Sequence, residues 1–359
     1  WRVIPRLGEV DAASWDALAG GQPFLRHAFL NALEESGAVS ASTGWLPCHI
    51  VIDDAGGPLA AALPLYVKSH SYGEYVFDQG WAEAYVRAGG RYYPKLQTAV
   101  PFTPVPGPRL LVRPDLPFAP YAGALAAAAI DRARRVGASS WHVPFPTENE
   151  WRVLGQAGLL LRTGEQFHWR NRGYATFDDF LGELASRKRK AIKRERRAIA
   201  ELGIGIRCLP GSELDESHWD AFFGFYQDTG DRKWGRPYLN RDFFRRLHAA
   251  MPESIVMVLA EREGRAIAGA LNLRGADALY GRYWGCVEQH PFLHFECCYY
   301  QAIDYAIRHR LARVEAGAQG EHKLARGYVP VPTYSAHWIA DDGFRRAVAG
   351  YLVHERRAV

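Results

Sequence analysis

Long apolar runs are missing from the 359-residue chain. None approaches the roughly 18 residues of a membrane span, and the longest candidate, 122–130, is short and Ala-rich. Cysteine is scarce: Cys48, Cys208, Cys286, Cys297 and Cys298 are odd in number and too few for a disulfide framework. With no secretory leader in view, a reducing, cytoplasmic setting is expected. The familiar site signatures are missing too. There is no HExxH pattern and no spaced Cys/His pair, and His294-x-Glu296 lacks the Pro-Cys-x-x-Cys that completes a zinc deaminase signature. A Walker loop, a GxGxxG fingerprint and a nucleophile elbow around serine are also absent. The expectation is a protein without a metal and without a tightly bound cofactor.

What remains is an ordinary globular composition, 48% hydrophobic and 23% charged, with length for two domains. The net charge of +5 is concentrated. Between Arg187 and Arg197 the sequence reads RKRKAIKRERR, eight basic residues and one Glu, which leaves the rest of the chain slightly acidic. Positions 185, 192 and 199, like 184, 191 and 198, repeat every seven residues and predict a narrow apolar stripe on a cationic helix. Uncompensated like charges repel unless a polyanion offsets them. Arg187, Lys188, Lys190, Lys193, Arg194 and Arg197 are therefore candidate contacts for tRNA, a CoA or nucleotide diphosphate, or anionic headgroups.

Helices and strands alternate through the chain, with one long helix expected over 177–202. The region 72–120 differs: it is rich in Gly and aromatics, and eight of the 21 prolines lie between Pro94 and Pro120. The hairpin DDAGGPLAAALPL (53–65) lies without gaps on EREGRAIAGALNL (261–273), and GLLLRTGEQFHW (158–169) lies on GYVPVPTYSAHW (327–338). Both matches fall in the same order, which predicts two copies of one α/β unit joined near 170–176.

The densest set of functional side chains falls in the second copy. In GRYWGC (281–286), Arg282, Tyr283 and Trp284 sit on a strand, so Tyr283 faces away from its neighbours. In LHFECCYYQAIDYAI (293–307), His294 and Glu296 are a candidate acid–base pair, and Glu296 shares a helical face with Tyr299 and Tyr300. GAQGEHK (317–323) follows a strand and opens a helix, offering Gln319, Glu321, His322 and Lys323 beside backbone N–H groups suited to an oxyanion.

These blocks, together with YGEYVFD (72–78), YYPKLQTAVPFTPVPGPRLL (92–111) and the basic run, resemble the FemAB-like family of N-acyltransferases. The resemblance covers nearly the whole chain. It implies two tandem GNAT-like α/β domains with mixed sheets flanked by helices, 1–172 with the 72–120 insertion and 173–359 with the active-site motifs. It further implies acyl or aminoacyl transfer to a small-molecule or peptide amine. The sequence departs from ordinary GNAT enzymes in one respect: no Q/R-x-x-G-x-G/A turn follows the strand 278–286. Aminoacyl-tRNA is thus the expected co-substrate, with acyl-CoA and a non-catalytic RNA- or anion-binding module as alternatives. Glu296, Glu321 or His294 would deprotonate the amine, Gln319 would help to hold the oxyanion, and Tyr283, Tyr299 or Lys323 would protonate the leaving group. Glu74, Asp78, Tyr93, Lys95, Arg282, Trp284 and Tyr299 are the expected acceptor contacts.

Overall fold

The computed structural model describes every residue except Gly56, 234–236, 318–319 and 359; the side chains of 231–233, Glu321 and 356–358 also lie outside the description. The chain divides into two compact units, Trp1–Glu165 with Pro332–Val359, and Gln166–Val331.

The strands of the first unit are β1 (Arg2–Ile4), β2 (Trp45–Pro47), β3 (His49–Asp53), β4 (Leu59–Leu63), β5 (Tyr66–Lys68), β6 (Lys95–Gln97), β7 (Leu111–Val112) and β8 (Ser140–Pro144). β9 (Leu160–Arg170) leads into the second unit, which contains β10 (Gly205–Pro210), β11 (Ile255–Arg262), β12 (Arg265–Arg274), β13 (Ala278–Cys286) and β14 (Arg313–Glu315). β15 (Val329–Ile339) leads back.

Residues 45–53 and 59–68 form one long hairpin, interrupted where Pro47 and Pro64 have no N–H for the ladder. The Cys48 N–H still donates to the Leu65 carbonyl across the gap, at 2.8 Å. β1 pairs antiparallel with β3, β6 antiparallel with β5, β8 parallel with β6, and β15 antiparallel with β8. The second unit repeats this sequence of senses. β10 and β12 flank β11 antiparallel, β13 pairs antiparallel with β12, β14 parallel with β13, and β9 antiparallel with β14. The shared strand order matches the expected duplication, although the turn glycine Gly56 lies outside the described residues.

The division between the units differs from the expected join at 170–176. The matched strands β9 and β15 exchange partners: Trp169 of β9 lies opposite Val314, whereas Trp338 of β15 lies opposite Trp141. Residues 332–359 therefore belong to the first unit rather than the second.

The helices α1 (Ala12–Ala19), α2 (His27–Glu35), α3 (Gln79–Arg87), α4 (Phe118–Arg135) and α5 (Glu148–Gln156) belong to the first unit. α4 carries the chain from β7 to β8 and buries Leu125, Ala126, Ala129 and Ala133 with Trp141 and Val143 of β8. In the second unit, the expected single helix over 177–202 is two helices, α6 (Phe177–Glu183) and α7 (Ser186–Glu201), because Leu184 is extended. The break seats Phe180 and Leu184 against Gly327, where a Cβ would come within 2.7 Å of Phe180. α8 (Glu216–Lys233) and α9 (Arg241–Ala250) follow. The β13–β14 crossover contains α10 (Leu293–Phe295), a π-helical turn (Glu296–Tyr300) and α11 (Gln301–Arg308); α12 (Asp342–Ala358) closes the chain in the first unit.

Gly285 of β13 meets α8 so closely that a Cβ would sit 2.1 Å from the Phe225 carbonyl oxygen. Gly285→Ala is expected to cost about 1–3 kcal/mol as overpacking. Exposed Gly224, where a Cβ would meet nothing within 4 Å, should instead gain about 0.5–1 kcal/mol as Ala inside α8. Thermal unfolding of the two variants should therefore shift in opposite directions.

Candidate active site

In the second unit β13 and β14 run parallel only from Ala278↔Arg313 to Tyr280↔Glu315, after which β14 ends and β13 continues. Parallel strands that part leave a crevice beyond their carboxyl ends, the usual ligand position in open α/β sheets. The ladder with β12 slips there, pairing Tyr283 with Leu271 and Gly281 with Asn272, so Arg282 is the extra residue of a bulge. Its Nη1 donates to the Gly281 and Glu315 carbonyls at 2.8 and 3.3 Å. The Glu315 carboxylate lies 3.7 Å from Arg282 and 3.0 Å from Arg313. Burial nevertheless pushes the Glu315 pKa up, and burial with nearby Arg282 pushes that of His168 down to about 3.

The crossover begins at Phe292 with φ 70° and then widens into the π turn, a feature frequent at functional sites. His294 packs edge-on against Trp284 and Tyr299, with ring centroids 5.4 and 5.3 Å away. The buried Tyr299 hydroxyl lies 2.8 Å from Nε2 of exposed His322. A Cβ on Gly320 (φ 121°) would come within 2.4 Å of the His322 ring, so a side chain there would displace the imidazole. Burial, Lys323 and Arg326 lower the His322 pKa. Burial raises that of Tyr299. Burial and Arg282 lower Lys323 to about 8, while its Nζ donates to the Gly317 carbonyl at 2.9 Å.

Helix α7 reaches this region through its inner face. Arg196 pairs with the Glu296 carboxylate at 3.0 Å, and Gln301 Nε2 donates to the same group at 2.7 Å. Glu195, the one acid of the basic run, accepts from Arg326 Nη2 at 2.9 Å and from the Tyr300 hydroxyl. Among the described residues, the side chains of Arg187, Lys190, Arg194 and Arg197 make no hydrogen bond or ion pair, and all are exposed. Their spacing of three, four and three residues places them on one face.

The corresponding position of the first unit is filled. Beyond β8, Arg109 is fully buried, its Nε donating to the Pro144 carbonyl at 3.0 Å and its Nη1 to the Gly107 carbonyl at 3.1 Å.

The FemAB-like family model, described as peptidoglycan biosynthesis/recognition, matches residues 6–359. The chain belongs to the FemAB-like family. No curated protein matches the sequence. Among solved structures, FemX is 13% identical over 95% of this chain and 98% of its own, with a TM-score of 0.59. The C-terminal domain of a putative lysylphosphatidylglycerol synthetase from Agrobacterium fabrum is 10% identical over 97% of each chain, with a TM-score of 0.58. These similarities concern the fold. The described residues bear out the α/β part of the expectation, with mixed sheets flanked by helices and one strand order repeated in both units.

The expected site residues of this FemAB-like chain do not all meet in one place. His294, Tyr299, His322 and Trp284 come together as expected. The Glu296 carboxylate, the expected base, is engaged by Arg196 and Gln301, which ties α7 to the crossover. Tyr283 faces away from the crevice and packs against Tyr226 and Phe244. Gln319 and the Glu321 side chain lie outside the described residues. Glu74, Asp78, Tyr93 and Lys95 belong to the first unit and form a buried cluster. There Lys95 Nζ donates to Ser71 at 2.8 Å, Glu74 at 2.7 Å, and Asp78, while Tyr93 OH lies 2.8 Å from the Ser71 hydroxyl. Burial opposes the Lys95 charge, but Glu74 and Asp78 outweigh it and raise its pKa. Beside them, burial lowers Lys68 to about 7. The reading from sequence gave no role to Glu195, Arg196, Tyr300 and Arg326; the lone acid in a basic run was the available signal.

Breaking the Arg196–Glu296 contact from one side leaves a buried or half-buried charge without its partner. Glu296→Met and Arg196→Met should each cost about 1–3 kcal/mol, whereas the double variant should recover most of that loss. A double-mutant cycle by denaturant unfolding measures the coupling.

Proposed function

We propose that the protein is an N-acyltransferase that forms an amide bond on an amine, with aminoacyl-tRNA as donor. The observation that carries the donor is the outward face of α7: four exposed cations without side-chain partners among the described residues, over about 15 Å of helix. The loop after β13, Val287-Glu288-Gln289-His290-Pro291-Phe292, has no glycine to bring backbone N–H groups against a CoA pyrophosphate. The family description favours an amine of a cell-wall peptide as acceptor. A tRNA donor also favours a cytoplasmic location.

In the reaction, the amine nitrogen attacks the ester carbonyl carbon; the C–N bond forms and the C–O bond to the ribose breaks. Tyr299 accepts the amine proton as its own proton passes to His322 Nε2, and that proton is then available to the ribose oxygen that leaves. The pair joins a buried hydroxyl to an exposed imidazole, a short path between reacting groups and solvent. Backbone N–H groups of Gly317 and Gly320 would help to hold the oxyanion, with Gln319 as the side chain expected from sequence to assist and His294, Trp284 and Arg282 lining the approach. Lys323 is held in place by the Gly317 carbonyl.

Two measurements test this reading. The lowered His322 pKa keeps the imidazole neutral, and able to accept a proton, below its ordinary value. The acid limb of kcat/KM should consequently lie below pH 6.5, and His322→Gln should lower turnover by about 10²–10⁴. For the donor, tRNA affinity should fall steeply with salt. Replacing Arg187, Lys190, Arg194 and Arg197 together by Gln should reduce the log–log salt slope by about one per lost phosphate contact. Equal, weak binding by wild type and quadruple variant would exclude aminoacyl-tRNA and favour acyl-CoA.

A further inference from the structure

The structure assigns Glu195 a positioning role: it couples the outward cationic face of α7 to the His322–Tyr299 pair. The inference rests on the reading of α7 as the polyanion-binding helix. On a helix of 3.6 residues per turn, Arg187, Lys190, Arg194 and Arg197 lie opposite the face that bears Ile192, Glu195 and Ile199. The outer row is exposed and the inner one is buried.

The inner face grips the two segments that bear the candidate catalytic groups. Glu195 receives both the Tyr300 hydroxyl of the π turn and Arg326 Nη2 of the 321–326 turn. Arg326 spends its remaining donors close by, Nε on the Tyr300 hydroxyl at 3.0 Å and Nη1 on the His322 carbonyl at 2.8 Å. Its guanidinium also lies 3.4 Å from the Phe295 ring centroid. Lys188 adds a bond from Nζ to the Leu324 carbonyl at 3.1 Å. A buried carboxylate is a costly way to anchor a helix, since an apolar residue avoids the desolvation. What the carboxylate adds is direction. It fixes the fork of Arg326, which fixes the backbone of His322 and so the approach of the imidazole to Tyr299.

Phosphates bound on the outer face would therefore be felt at His322 through Glu195 and Arg326. The test uses full-length protein labelled in its histidine rings, with the His322 resonance assigned by His322→Gln. A single-stranded RNA oligonucleotide is the probe, and fluorescence anisotropy follows its binding in parallel. As RNA saturates the wild type, the His322 resonance should move. In Glu195→Gln, RNA should still bind but the shift should be lost. Should Glu195→Gln fail to fold, Arg326→Lys serves: lysine keeps the pair with Glu195 but lacks the fork needed to hold the His322 carbonyl as well, and the shift should again be lost. A shift of wild-type size in a folded variant would signify direct phosphate contact and overturn the coupling. RNA binding to the wild type without any shift would overturn it while leaving the donor assignment intact. Absence of RNA binding by the wild type would overturn the donor assignment, and the coupling with it.

Discussion

A carboxylate buried beneath a row of cations is the constraint on which the second unit depends. Helix α7 carries eight basic residues in eleven positions, and its buried apolar contribution is little more than Ile192 and Ile199. Each such side chain supplies about 1.5–3 kcal/mol, against mutual repulsion along the exposed face. The polar contacts of the inner face, Glu195 with Arg326 and Tyr300, and Arg196 with Glu296, add a second part of the attachment. They are directional where the isoleucines are not. The register of α7 against the π turn is consequently specified by charge, and the outer row of cations is specified with it.

The duplicated strand order makes the difference between the units informative. Each has a parallel pair reached through a helical crossover, β6 with β8 and β13 with β14, and each pair parts at its carboxyl end. In the first unit Arg109 fills that end by donating to surrounding carbonyls. The polar groups of the first unit are instead sequestered. Lys95 and Tyr92 both donate to Asp78, and His142 and His337 meet at 2.7 Å across opposed strands. Burial holds the His142 pKa down at about 3, so this pair is neutral. One copy has turned its polar residues into a packed core; the other leaves them around a turn that includes exposed His322.

The strand order, the hairpin match and the concentration of chemistry at 281–328 were legible because they depend on local pattern and on repeated sequence. The partner exchange of β9 and β15 was not, because two equivalent strands satisfy either sheet equally well by pattern. Helical periodicity likewise continued through Leu184 and Ala185, and the break there depends on Gly327, distant in sequence. The ion pair made by Glu296 was hidden for a related reason. Residue type and helical face were right for acid–base work, but the carboxylate's partner is Arg196, a hundred positions away. Charge counting treated Arg196 as one more cation of a solvated face and Glu195 as an incidental acid. Their burial is what separates them from Arg194 and Arg197.

The crevice of the second unit combines burial with a local excess of positive charge, and two consequences follow. Burial, and then the nearby charges of Lys323 and Arg326, lower the pKa of His322, and burial with nearby Arg282 in turn lowers that of Lys323. The imidazole is thereby held as a neutral acceptor. The same local field favours negative charge, and an acyl transfer develops its negative charge on the carbonyl oxygen as the amine attacks. A group that must stay uncharged and a group that must become anionic are both served by cations whose own positions are fixed: Arg282 by Glu315, Lys323 by the Gly317 carbonyl, Arg326 by Glu195. Fixed cations need not reorganise as charge develops, and in a partly water-excluded crevice that is where electrostatic stabilisation is strongest. The buried acids of this unit act at one remove, by holding the cations in place.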